Sequence, residues 1–138
     1  MANRRTFLAD TSAIHRAAHP AVAARLAPLM EHGRIATCAI VDLEVLYSVR
    51  NVREYDDVLL ERRAFIDVPI TSQVTERAIQ VQRALSRIAQ HRLPISDLLI
   101  AACAELDGHA LLHYDDDFEK IARISGQQHE WIVPRGSI

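Results

Sequence analysis

The sequence predicts an α/β fold: a mainly parallel central sheet of four to five short strands flanked by helices. Two observations carry that expectation. Short apolar runs alternate along the chain with longer segments of helical spacing, the pattern of strand–helix–strand units with a parallel sheet. Most positions in the short runs are apolar, as in strands covered on both faces. The length agrees: 138 residues fit a single domain, 1–138, with a core large enough to need no disulfide or metal staple.

Each element has a local reason. Thr6, Phe7, Leu8 and Ala9 form an apolar run ending at Asp10, read as a buried strand. Asp10, Thr11 and Ser12 supply helix-starting groups, and a short helix begins at Ala13. A second helix is expected over 20–32, with Pro20 in its first turn and Gly33 stopping it. Residues 35–38 read as a strand. Residues 39–49 read as a helix apolar nearly all round and therefore buried, and 54–64 as a more amphipathic one. Residues 65–68 form a third strand, ended by Pro69. A long helix over 75–89 carries Ala78, Val81, Leu85 and Ile88 at helical spacing. After the loop 91–95, Ser96 is expected to cap an apolar helix that Gly108 ends. Residues 110–113 read as a fourth strand, 118–124 as a short helix and 131–133 as a last strand.

Composition narrows the classes. Hydrophobic residues make up 49% and charged residues 25%, ordinary for a globular protein. No apolar run approaches the ~18–20 residues that a membrane span needs. The segment Met1 to Arg5 leads into only a short apolar stretch, which does not read as a secretory signal, so a cytoplasmic location is expected. Cys38 and Cys103 both sit in apolar surroundings and read as small core residues. The net charge of −2 argues against strong nonspecific nucleic-acid binding, but distribution matters more than the sum. Fifteen of the sixteen basic residues are Arg, the side chain suited to bidentate phosphate contact. They gather as Arg50, Arg53, Arg62 and Arg63, and as Arg83, Arg87 and Arg92. Each group reads either as a solvated helix face or as an RNA-facing rim.

Five acids carry the chemistry: Asp10, Glu44, Asp97, Asp115 and Asp117. Asp10 and Asp115 fall just past the ends of expected strands, and in parallel sheets ligands bind beyond the strands' carboxyl ends. Glu44 has Ile40, Val41 and Tyr47 as helix neighbours, although periodicity does not separate it from Asp42. Asp97 opens an even more apolar helix, where the plain reading is an acid favoured by the helix dipole at roughly 0.3–1 kcal/mol. Gathered at one sheet edge, such acids would repel one another and raise each other's pKa. A divalent cation removes that conflict. Oxygen ligands without a matched Cys or His cluster suit Mg2+ or Mn2+ rather than Zn2+, and such ions support phosphodiester hydrolysis. No Gly-rich phosphate loop, nucleophile elbow or nucleotide fingerprint competes with that reading.

These segments resemble a known family. Leu8 to Ala13 resembles the opening Asp-Thr/Asn-Ser motif of PIN domains. Asp42 to Leu46 is similar to their second motif, with Glu44 as its acid. Ser96 to Ala102 is similar to their Asp-x-x-Ile-Ala-Ala helix start, and Leu112 to Phe118 to their Asp-x-Asp-Phe motif. The four occur in family order, and the chain has the length of a lone PIN domain. The resemblance, to the VapC toxins of bacterial toxin–antitoxin pairs in particular, implies a PIN-like three-layer fold and a Mg2+- or Mn2+-dependent endoribonuclease. It implies Asp10, Glu44, Asp97, Asp115 and Asp117 as the catalytic acids. Asp10 and Asp97 would bind the principal ion. Glu44 would bind it or orient the attacking water. Asp115 and Asp117 would complete the site, with the direct ligand between these two left open. It also implies a homodimer and a VapB-like antitoxin that covers the active site, docked in an apolar groove around the first two helices. Thr11 and Ser12 would hydrogen-bond the acids or a phosphate. His15, Arg16, Arg50 and Arg92 are candidates for the RNA-binding rim, and Trp131 reads as core or, alternatively, as a ring that stacks on a base. The rival readings are a PIN-like nuclease for RNA processing or structured DNA, and a non-catalytic PIN-like binding module. A receiver-like phosphotransfer fold would want a Lys at the sheet edge, and Lys120, the single lysine, lies in the last expected helix.

Overall fold

The computed structural model describes residues 5–138; most of the segment Met1 to Arg5 lies outside the described residues. In chain order the elements are β1 (Phe7–Ala9), α1 (Thr11–Ile14), α2 (Pro20–Glu31), β2 (Ile35–Cys38), α3 (Ala39–Tyr47), α4 (Val52–Arg62), β3 (Ile66–Val68), α5 (Ser72–Ser86), α6 (Ile95–Leu106), β4 (Ala110–His113), α7 (Asp116–Ser125) and β5 (His129–Trp131). The five strands form one sheet in the order β3-β2-β1-β4-β5, and every pairing is parallel. From β1 the chain winds outward to β2 and β3, then returns to β4 and β5 on the other side. The order therefore reverses between β1 and β4. That reversal leaves a crevice at the strands' carboxyl ends, the usual ligand position in such sheets.

The two faces of the sheet follow the strand period of two. Leu8, Ala36, Cys38 and Leu111 point to one side. There they meet Val41 of α3, Val81 and Leu85 of α5, Ile100 of α6 and Phe118 and Ile121 of α7. Phe7, Ala9, Ile35 and Leu112 point to the other, against Ala13 of α1, Val22, Leu26 and Leu29 of α2, and Ile132. Cys38 and Cys103 are buried free thiols in the first of these clusters.

Several element boundaries move from expectation, each for a visible reason. The apolar helix starts at Ile95 rather than after a Ser96 cap, because the Pro94 carbonyl already accepts the N–H groups of Asp97 and Leu98. The long helix α5 starts at Ser72, since the Thr71 hydroxyl accepts from the Val74 N–H. Helix α4 starts at Val52 under an Asn51 cap that accepts from the Glu54 N–H. Helix α7 starts at Asp116, because the Asp115 carboxylate accepts from the Asp117 N–H at 2.9 Å. It closes on Gly126 at φ 73°, the left-handed conformation that glycine adopts without steric cost. The last strand is His129–Trp131 rather than 131–133. Helix α3 ends at Tyr47 and is not buried all round: Leu43 and Tyr47 are 63% and 92% exposed.

Candidate active site

The acids are delivered to the crevice by four separate elements. Asp10 follows β1 and is the N-cap of α1, its Oδ2 accepting the Ser12 N–H at 2.9 Å. Glu44 comes from α3, Asp97 from the first turn of α6, and Asp115 and Asp117 from the turn into α7. Carboxylate oxygens of Asp97, Asp115 and Asp117 lie within 4.8 Å of one another. Asp10 and Glu44 complete the group: with Asp115 and Asp117 they are the charges that raise the Asp97 pKa, Asp10 foremost. The tightest trio thus pairs Asp97 with both acids of the last motif, while Asp10 approaches from β1.

Burial and mutual repulsion make the ionised forms of Asp10 and Asp97 costly. Asp10 and Asp97 are 4% and 8% exposed. Burial first, then the charges of Asp10, Asp115, Asp117 and Glu44, push the Asp97 carboxyl up to about 8. Burial likewise raises Asp10, against the hydrogen bonds from Ser12. The dipole of α6 favours an ionised Asp97 by at most about 1 kcal/mol. Each pKa unit is worth about 1.36 kcal/mol, so desolvation and repulsion outweigh the dipole, and plain first-turn stabilisation does not account for this acid. The Asp97 Oδ2 atom is buried without a hydrogen-bond partner. An orphaned carboxylate oxygen among four further acids is what a hard divalent cation with oxygen ligands satisfies.

The surrounding hydroxyls and rings hold the acids in place. The Thr11 hydroxyl donates to Glu44 Oε1 at 2.9 Å. Ser12 Oγ accepts the Tyr114 N–H at 2.9 Å, joining the β1 and β4 loops. Both hydroxyls are thus engaged inside the protein, Thr11 with an acid and Ser12 with the Tyr114 backbone. His113 is fully buried. Its Nδ1 accepts the Asp115 N–H at 3.2 Å, which puts its proton on Nε2, 2.9 Å from His129 Nδ1. Asp116, between the two candidate ligands, accepts instead from Arg135.

Other candidates fall outside the crevice or change meaning. Arg16 donates to the Ser12 carbonyl at 2.8 Å and lies over the Tyr114 ring at 4.6 Å, beside the site. Arg50 is exposed and pairs with Glu54. Arg92 and His15 are exposed. Trp131 is half-buried; its indole N–H donates to Glu119 at 2.7 Å. Arg62 belongs neither to a solvated face nor to a rim. It is 4% exposed, donating to Asp42 at 2.9 Å and to the Thr37 hydroxyl at 2.7 Å. That pairing separates Asp42 from Glu44, which periodicity alone does not. Sequence patterning also misses Lys120, whose ammonium lies 3.5 Å from Asp117; its i,i+3 spacing within one helix was the available signal. An apolar opening beside the site lies between α1 and α3, the first and third helices.

The chain is thus an α/β domain of doubly wound parallel type with carboxylates gathered at its switch point. The PIN domain family model matches residues 7–124, and the chain belongs to the PIN-domain family. It is 43% identical over 135 residues to Ribonuclease VapC18 of Mycobacterium tuberculosis, covering 96% of this chain and 98% of that protein. It is 44% identical over 132 residues to Ribonuclease VapC51 of the same organism, covering 96% of each. Among solved structures, the fold is similar to a chain of DNA-bound VapBC from Salmonella typhimurium. There the TM-score is 0.75 at 20% identity, over 94% of this chain and 99% of that one. No helix among the described residues is long and apolar enough to cross a membrane.

Proposed function

We propose that this chain is the toxin of a toxin–antitoxin pair and acts as a Mg2+- or Mn2+-dependent endoribonuclease. The observation that carries the reading is the convergence of Asp10, Glu44, Asp115 and Asp117 on Asp97, whose Oδ2 is buried and unpartnered. The likeness to proteins named Ribonuclease VapC supports RNA as substrate.

Asp97, Asp115 and Asp117 would hold the cation, with Asp10 beside them. When bound, the cation supplies charge neutralisation at the phosphate and makes water a better nucleophile. Glu44, fixed by Thr11, orients the attacking water and takes its proton. Ser12 keeps the β1 and β4 loops together, and with them Asp10 and Asp115. Arg16, Arg50 and Arg92 provide rim cations for the RNA backbone. The protein works in the cytosol as a homodimer, and a VapB-like antitoxin silences it by covering the acids.

Cleavage of RNA is measured with wild type, Asp10→Asn and Asp97→Asn, with Mg2+ and with chelator. Cleavage by wild type with Mg2+ alone is expected, with the variants at least about a hundredfold slower. Equal cleavage by Asp97→Asn would refute the assignment of the site. Cleavage of DNA but not RNA would move the substrate to structured DNA, and RNA binding without cleavage would favour the silent module.

A further inference from the structure

The carboxylates have a neighbour of opposite character. A groove of about 550 Å3 between α1 and α3 is lined by Thr11, His15, Ile40, Leu43, Glu44 and Tyr47. Glu44 and Thr11 belong to both places, so the groove opens directly from the acidic crevice. Tyr47 and Leu43 stand 92% and 63% exposed on α3, and His15 is exposed at the end of α1. The groove has no Arg or Lys among its walls, so it does not suit a phosphate. Its Thr11 hydroxyl is already committed to Glu44. Apart from Glu44 and His15 at its edges, what remains is an apolar, aromatic surface of Ile40, Leu43 and Tyr47, sized like a small-ligand cleft.

We propose that this groove is a base subsite: it takes the unpaired nucleobase next to the scissile phosphate, stacked on Tyr47 and backed by Leu43 and Ile40. The inference rests on the RNA-cleaving reading above. A phosphate held at the acids tethers its neighbouring base within one nucleotide of Glu44, and the groove begins at Glu44. That continuity favours a base over a protein helix as the occupant during turnover. Stacking accepts any base, because every base has a π face. A paired base is stacked in its own helix and cannot enter. The subsite therefore works only where the strand is unpaired at the cut, and selection by sequence must come from elsewhere.

The test uses a short single-stranded RNA spanning a mapped cut, intact and with an abasic nucleotide on either side of the cleaved bond. Wild type, Tyr47→Ala and Tyr47→Trp are compared. Tyr47→Ala is expected to raise KM about tenfold, with the loss falling on KM rather than kcat, and Tyr47→Trp to restore it. One abasic position should cost wild type the same factor and cost Tyr47→Ala nothing further. Melting curves of the three proteins should coincide, since the side chain is solvent-exposed. An unchanged KM in Tyr47→Ala, or an equal abasic penalty in both proteins, overturns the subsite and leaves the groove as a face for a protein partner. If wild type cuts no RNA, the nuclease reading fails instead. Fluorescence anisotropy of intact and fully abasic RNA on wild type and Tyr47→Ala then still decides the subsite by the same comparison.

Discussion

Asp97 concentrates the conflict between stability and function in one side chain. Its folded pKa, about 8 against an ordinary 3.8, means that the metal-free folded state binds one more proton than the unfolded state between those values. Stability from this group is fully present below pH 4 and is lost as pH rises through about 8. Asp97→Asn has no such loss. It should raise the melting temperature of the metal-free protein by about 3 °C or more at pH 8, with no gain at pH 4. Calorimetry at the two pH values checks this, and an equal shift at both would contradict it. His113 acts in the opposite sense. Burial and the neighbouring His129 lower it to about 4, so its share of stability is lost as pH falls from about 6.5 to 4. A smaller change sits at Thr11. Thr11→Val removes the donor to Glu44, and a hydrogen bond to a charged group is worth about 1.5–3 kcal/mol. The expected result is a fall in kcat of about tenfold with little change in KM, read from steady-state cleavage.

At the scale of elements, the position of α3 is set by a buried charge cluster. Arg62 at the end of α4 reaches Asp42 on α3 and Thr37 on β2, and Thr37 itself donates to Asp42 at 2.8 Å. One guanidinium thus ties two helices to the sheet. Removing it leaves the Asp42 carboxylate without its cation in a largely buried place. Arg62→Met should therefore destabilise the fold by about 3 kcal/mol, whereas Arg53→Ala on the same helix should stay within about 0.5 kcal/mol. Urea unfolding of both variants tests the contrast. This cluster was not legible in the chain. Arg62 looks like its neighbours Arg53 and Arg63, and only the turn from α4 into β3 brings it under Asp42. The helices themselves were legible because their apolar spacing is periodic. Their first turns were less so, because backbone carbonyls such as that of Pro94 can start a helix without a side-chain cap.

For the whole molecule, the proposed cation would link folding to activity. Binding to the folded state alone stabilises by about 2.7 kcal/mol at a hundredfold excess over Kd. Mg2+ or Mn2+ should accordingly raise the melting temperature of wild type by several degrees and leave that of Asp97→Asn unchanged. The gain should grow as pH rises toward 8, since the cation displaces the Asp97 proton. A metal-induced shift that survives in Asp97→Asn would place the ion elsewhere.

The sequence alone was enough for the α/β class and for most strands, and it singled out five acids that the structure draws together around Asp97. Burial in a parallel sheet writes a short apolar run, and the sheet's carboxyl edge is where an acid following such a run is delivered. Tertiary structure decided what depends on distance between remote segments. It grouped Asp97 with Asp115 and Asp117, bound Thr11 to Glu44, buried Arg62 beneath Asp42, and left Tyr47 and Leu43 open to solvent. Periodicity records which residues share a face of their own element. It carries no information about which element, if any, that face will meet.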